Sequence, residues 1–117
     1  MSAELMTGRS LPYRIAASRA VPRRLLILCH GVGGNETNLA PLAAKAPADT
    51  TVVLVRAPLT LGTDQFAWFP VTFGPLGPRP DLDAAEASRQ RLVQFVAEMQ
   101  FDSDVAPGAT VLAGFSH

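Results

Sequence analysis

The sequence holds a single cysteine, Cys29, among its 117 residues. No internal disulfide can form, so the chain fits a reducing compartment, and the cytoplasm is the expected location. Cys29 lies inside an apolar run, where a buried structural thiol is expected rather than a reactive one. Charge is also scarce: ten basic and ten acidic side chains cancel, and charged residues make up 17% of the chain. Nucleic acid and anionic membrane surfaces require clustered Lys or Arg, and no such cluster is present. Long hydrophobic runs are missing as well. Leu25 to Cys29 is far too short to span a bilayer, so no integral membrane contact is expected. Met1 to Ser10 contains no apolar segment of the signal-peptide kind. Nowhere do His, Cys and carboxylates cluster at metal-ligand spacing, so neither a metal nor another cofactor is expected.

What is present is apolar sequence in short, well-bounded pieces. Hydrophobic residues make up 48% of the chain, enough to bury a core, and the length bounds it to one domain at most. Arg24-Leu25-Leu26-Ile27-Leu28-Cys29 is a continuous apolar run between Pro22 and Gly31. That pattern suits a strand buried on both faces of a parallel sheet. The β-branched run Thr51-Val52-Val53-Leu54-Val55 predicts a second buried strand, and Thr110 to Phe115 a third. Leu11 to Ala17 suits a short edge strand. Between the first two buried strands a helix is expected over roughly 39–45, capped by Asn35 or Asn38 and tolerating Pro41 in its first turn. A second helix starts at Asp81 or Asp83 and reaches about Met99, its apolar stripe running from Leu92 to Met99. Ala57 to Pro80 carries five of the ten prolines together with Phe66, Trp68, Phe69 and Phe73, and reads as a long irregular, functional loop. The alternation of strand and helix predicts an α/β fold, a mostly parallel sheet covered by helices on both faces.

The motif with most chemical content is Gly114-Phe115-Ser116-His117. Gly-x-Ser after a buried strand is the start of a Gly-x-Ser-x-Gly nucleophile elbow, a strained strand-to-helix turn that lifts the serine hydroxyl clear of the sheet. By itself it also suits an ordinary strand-to-helix turn. Cys29-His30-Gly31-Val32-Gly33-Gly34 adds weight to the first reading. A His-Gly loop after an earlier strand supplies one backbone N–H of an oxyanion hole, and the residue after the nucleophile supplies the other. By position these donors are Val32 and His117. A plain turn is the alternative; the spacing fits neither Gly-x-Gly-x-x-Gly nor a Walker A lysine motif, which argues against nucleotide binding.

Neither histidine suits the role of base. His30 sits at a strand end, where structural hydrogen bonds are expected. His117 adjoins Ser116, and its side chain should diverge at the sharp turn, whereas a base must come within hydrogen-bond reach of the nucleophile. In the order Ser, then Asp or Glu, then His, both partners are expected beyond residue 117. The acidic residues upstream have plainer roles: Asp81 and Asp83 favour a helix start, and Glu98, Asp102 and Asp104 a solvated helix end and loop. Trp68, Phe69 and Phe73 are candidate substrate-binding residues, an apolar wall for an acyl chain or alcohol, or else they pack the loop onto the sheet.

Four stretches, in order, carry a resemblance: Leu28-Cys29-His30-Gly31-Val32-Gly33-Gly34-Asn35-Glu36, Val55-Arg56-Ala57-Pro58, Ala67-Trp68-Phe69-Pro70 and Leu112-Ala113-Gly114-Phe115-Ser116. Together they resemble the phospholipase/carboxylesterase family of α/β-hydrolases, which includes bacterial carboxylesterases and acyl-protein thioesterases. Members of that family run to roughly 200 residues or more, so residues 1–117 correspond to the N-terminal half of one α/β-hydrolase domain, truncated at the nucleophile elbow. The resemblance implies Ser116 as nucleophile, with Val32 and His117 as oxyanion donors through their backbones. It implies a small carboxylic ester as substrate, with lysophospholipids and acyl thioesters inside the same chemistry. The implied partner is the C-terminal half of the domain, holding the catalytic Asp and His; a homodimer is a further expectation. The family usually has Gln after the nucleophile, but a position that acts through its N–H tolerates His117. The related dienelactone-hydrolase group is disfavoured, since it typically has Cys where this chain has Ser116. The other functional reading is a catalytically inert fragment or interaction module of hydrolase ancestry. An open sheet edge and an uncovered apolar face would then make it prone to aggregation unless a partner completed the sheet.

Overall fold

The computed structural model describes residues 4–17, 22–75 and 77–114, leaving aside the side chains of residues 17, 71–74 and 78–80. Its centre is a four-stranded sheet in the order β1-β3-β2-β8, formed by β1 (Tyr13–Ala17), β2 (Arg24–Cys29), β3 (Thr50–Val55) and β8 (Thr110–Gly114). β2 runs parallel to both β3 and β8, whereas β1 closes one side antiparallel to β3. The mostly parallel sheet and the edge strand at the N-terminus match the sequence expectation.

Both central strands read as continuous apolar runs because alternate residues serve opposite faces of the sheet. Leu25, Ile27, Cys29, Val53 and Val55 point to one face and form a core with Leu11, Tyr13, Phe95, Met99 and Val105. Leu28, Val52 and Leu54 point to the other, where Leu39, Ala40, Leu42 and Ala43 cover them. The first face is covered by α2 (Leu82–Ser103), the second by a 3-10 turn (Glu36–Leu39) running into α1 (Ala40–Ala43). Helices therefore cover both faces, as the apolar strands require.

The first helix is a single turn and stops short of Lys45. The N–H groups of Lys45 and Ala46 bond to the carbonyls three residues back, at 3.1 and 3.2 Å, and Pro47 disfavours helical backbone at Ala46. α2 is instead a turn longer than its apolar stripe. Asp81 caps it, its side chain accepting from the N–H of Ala84, and nothing breaks it until Asp104 turns left-handed at φ 53°. Ser88, Phe95 and Met99 are its buried positions; Leu92 and Val96 pack partly buried beside them. Phe95 meets Tyr13 edge to face, ring centroids 5.3 Å apart. The N-terminal segment is tied to the same helix, with Arg9 paired to Asp102 and the Ser10 N–H donating to Glu98.

Two expectations are corrected. The segment from Ala57 to Pro80 is not irregular: it forms two hairpins, β4 (Leu59–Gly62) with β5 (Gln65–Ala67), and β6 (Val71–Gly74) with β7 (Gly77–Pro80). The proline signal misled because each hairpin is a two-stranded ribbon, and Pro is tolerated on strands with a free edge. Asp64, at φ 55°, supplies the left-handed residue of the first turn. The second correction concerns β8, expected as a buried strand. Among the described residues only β2 pairs with it, and Val111 and Leu112 are 57% and 49% exposed. Phe115, the last residue expected in that strand, lies outside the described residues.

Candidate active site

The parallel register between β2 and β8 sets Cys29 opposite Gly114, and that between β2 and β3 sets Cys29 opposite Val55. All three strands thus end at one level, and the loop His30-Gly31-Val32-Gly33-Gly34 leaves from the middle one. In open parallel sheets the carboxyl ends of the strands are where ligands bind.

His30 is 2% exposed and acts as a peg. Its Nε2 accepts from the Ala57 N–H at 3.0 Å, which puts the proton on Nδ1, 2.7 Å from the Gly31 carbonyl oxygen to which it donates. Burial pushes its pKa below the ordinary range, against the smaller upward pull of the Gly31 carbonyl, so the ring stays neutral. Its own carbonyl accepts from the indole N–H of Trp68 at 2.9 Å. The structural role expected for His30 is the one found.

The glycines that follow are needed for different reasons. Gly33 adopts φ +84°, a conformation L side chains rarely take. At Gly34 a Cβ would lie 2.3 Å from Asn38 Oδ1 and 3.3 Å from the Gly31 oxygen. The Gly33 N–H donates to the Phe66 carbonyl at 2.9 Å, the Phe66 N–H to the Gly34 carbonyl at 2.8 Å, and the Gly34 N–H to the Gly31 carbonyl at 3.1 Å. Between these groups, the Val32 N–H has no acceptor among the described residues, and the Val32 side chain is 43% exposed. Asn35 then caps the 3-10 turn and Asn38 answers it, its Oδ1 accepting from the Asn35 N–H, so both candidate caps take part.

Two depressions flank the loop. One, of about 240 Å³, is lined by Cys29, His30, Gly31, Val32, Trp68, Phe69 and Gly114. The other, of about 620 Å³, is lined by His30 to Gly34, Asn38 and Leu39. Val32, Trp68 and Phe69 are therefore brought together beside the end of β8. Trp68 also packs against the core, and its carbonyl accepts from the Ser88 hydroxyl of α2, so wall and packing are not exclusive roles for it. Ser116 and His117 lie outside the described residues, as does the side chain of Phe73. Cys29 is 8% exposed, and burial raises its pKa to about 11, which leaves it a thiol at neutral pH. Among the described residues no three His, Cys, Asp or Glu side chains are grouped to hold a metal ion. Nor, among them, is any helix long and apolar enough to cross a membrane.

Beneath the loop lies a charged cluster that composition and spacing did not single out. Glu36 is 2% exposed and accepts from Arg14 Nε at 2.6 Å, Arg56 Nε at 2.6 Å and Arg56 Nη2 at 3.1 Å. Burial alone would raise its carboxyl, but the hydrogen bonds from Arg56 and Arg14 outweigh it and bring its pKa to about 2. The Arg56 guanidinium stacks over Phe66, 4.3 Å from the ring centroid. The signal available in sequence was an acid two residues after the glycine loop and an arginine directly after a buried strand.

No family model matches the chain, and no curated protein matches it. Solved structures do. The carboxylesterase from Mesorhizobium loti superposes with a TM-score of 0.78 at 27% identity over 97% of this chain and 52% of its own. The Bacillus cereus carboxylesterase gives 0.69 at 21% over 88% and 47%. Acyl-protein thioesterase 2 from Zea mays gives 0.57 at 18% over 89% and 45%. At the latter two identities the likeness is one of fold. The chain spans about half the length of these proteins. It carries part of an α/β-hydrolase fold like that of these carboxylesterases.

Proposed function

We propose that the protein is a serine hydrolase of carboxylic esters, with Ser116 as nucleophile and the backbone N–H groups of Val32 and His117 as oxyanion donors. The observation that carries this reading is the register at Cys29. It sets the loop bearing the Val32 N–H, which has no acceptor among the described residues, beside Gly114, two residues before Ser116, at the carboxyl ends of the central strands. A developing oxyanion needs donors fixed before the reaction begins, and the neighbouring N–H groups of Gly33 and Gly34 already have acceptors.

In the proposed cycle a base takes the Ser116 proton as Oγ attacks the ester carbonyl carbon, whose oxygen becomes an anion held by the two N–H groups. Collapse of this intermediate breaks the bond to the alkoxy oxygen, and the base returns its proton to the departing alcohol. Water, deprotonated by the same base, then attacks the acyl group, releasing the acid and restoring Ser116. The same steps serve a thioester, with a thiol leaving, and a lysophospholipid ester. The base and its orienting carboxylate are assigned to a C-terminal half of the domain. The share of its neighbours that the chain covers supports this assignment, as do the exposed Val111 and Leu112 on the β8 edge. Trp68 and Phe69 are the proposed apolar wall, joined by Phe73.

The test is covalent labelling of the full-length protein with a fluorophosphonate, followed by peptide mapping. Label on Ser116, lost together with p-nitrophenyl ester hydrolysis in Ser116→Ala, is the expected result. Hydrolysis that survives Ser116→Ala, or a folded sample that takes no label, refutes the proposal.

A further inference from the structure

We infer that Glu36 is a positioning residue for this hydrolysis: through Arg56 and Phe66 it fixes the glycine loop in the one conformation that leaves the Val32 N–H free for the oxyanion. The inference rests on the function proposed above and extends it to residues that never touch the substrate.

A buried carboxylate held by two arginines fixes geometry as well as adding stability. What the cluster does is join three separate pieces of chain. Glu36 belongs to the turn that follows the loop, Arg14 to the edge strand β1, and Arg56 to the end of β3. The two hydrogen bonds from Arg56 to Glu36 hold the guanidinium plane in place, and its face lies on the Phe66 ring. Phe66 is the residue of β5 that bridges to Gly34, taking the Gly33 N–H and donating to the Gly34 carbonyl. A second tie runs alongside, from the Asn35 side-chain N–H to the Asp64 carbonyl at 3.0 Å in the same hairpin's turn. The path therefore runs from carboxylate to guanidinium to ring to the loop backbone on one side of Val32. If Phe66 shifts, Gly33 and Gly34 lose their partners and the loop can rotate its peptide planes. The Val32 N–H then no longer points at a fixed place.

A misdirected oxyanion donor harms the transition state and leaves ground-state binding alone, so kcat should fall while KM holds. Losing such a donor outright lowers kcat by about 100-fold or more, so its disorder is expected to lower kcat by about tenfold. The experiment compares full-length wild type with Glu36→Gln, Arg56→Lys and Phe66→Leu. Rates are normalised to fluorophosphonate-titrated sites, and exchange of the Gly33 amide hydrogen is followed in parallel. Expected are a kcat lowered by about tenfold with KM within about twofold, and Gly33 exchange at least about tenfold faster. Arg56→Lys should fare no better than the others, since an ammonium keeps the charge but offers neither the fork nor the flat face. Wild-type kcat in any folded variant with faster Gly33 exchange overturns the inference, and so does unchanged Gly33 exchange in Phe66→Leu, the variant that keeps the ion pairs. A wild type that neither labels at Ser116 nor hydrolyses esters sinks the proposed function instead, a result the variants play no part in.

Discussion

Acidification should release the Glu36 ion pairs, and the size of the effect follows from the structure. The carboxyl's pKa is brought from its ordinary 4.5 to about 2 by Arg56 and Arg14, against the opposing effect of burial. A carboxylate with a depressed folded-state pKa adds stability that is fully present above its unfolded value and is lost as the pH falls towards the folded one. The window is therefore from about 4.5 down to about 2. At about 1.4 kcal/mol for each tenfold change in proton affinity, the depression corresponds to about 3 kcal/mol. That figure is a ceiling, because the Arg14 and Arg56 side chains remain 24% and 17% exposed and keep some of their hydration. The assay is urea unfolding of wild type and Glu36→Gln across this window and at neutral pH. Glutamine does not titrate, and the remaining carboxylates titrate in both proteins, so the difference in stability isolates Glu36. It should be largest at neutral pH and shrink steadily below pH 4.5. Two stability curves that stay parallel down to the folded pKa would show that the pairs do no such holding.

Three further outcomes are expected. Gly34→Ala forces Asn38 off the Asn35 N–H, since the new Cβ would lie 2.3 Å from its Oδ1; it should cost at least about 1 kcal/mol by thermal unfolding and be non-additive with Asn38→Ala. Asp104→Gly should stabilise the protein by up to about 1 kcal/mol in urea, because Asp104 ends α2 at φ 53° and carries a negative charge at the helix C-terminus. Leu112→Lys, at a side chain 49% exposed among the described residues and covered in the proposed whole domain, should destabilise the full-length protein by at least about 2 kcal/mol in urea.

The sheet was the most legible part of the fold because its signal is simple. Two short apolar runs, Leu25 to Cys29 and Val52 to Val55, admit few arrangements other than strands covered on both faces. Their continuations carried the site: a strand end followed by His30-Gly31-Val32-Gly33-Gly34, and another followed by Phe115-Ser116. The hairpins at Leu59 to Ala67 and Val71 to Pro80 were not legible. Strands of four and three residues are too short for a period-2 pattern to stand out, and Pro78 and Pro80 of β7 read as breakers. The exposure of β8 was hidden for a different reason. Thr110 to Gly114 is as apolar as the other strands, and a sequence states what a strand is suited to, not what lies against it. The Glu36 cluster escaped because a charged residue beside a loop reads as solvated until the fold brings Arg14 and Arg56 to it across 22 and 20 residues of chain.

Trp68 is the sole tryptophan of the chain, and the way it is held makes it a native optical gauge. Its indole N–H rests on the His30 carbonyl, its ring lies 5.9 Å from the His30 imidazole, and its backbone carbonyl is gripped by Ser88 of α2. Tryptophan emission from residues 1–117 therefore originates at one point, on the wall shared with Val32 and Phe69. A shift in its wavelength or intensity reports rearrangement of the glycine loop, or a guest arriving beside it, with no dye attached.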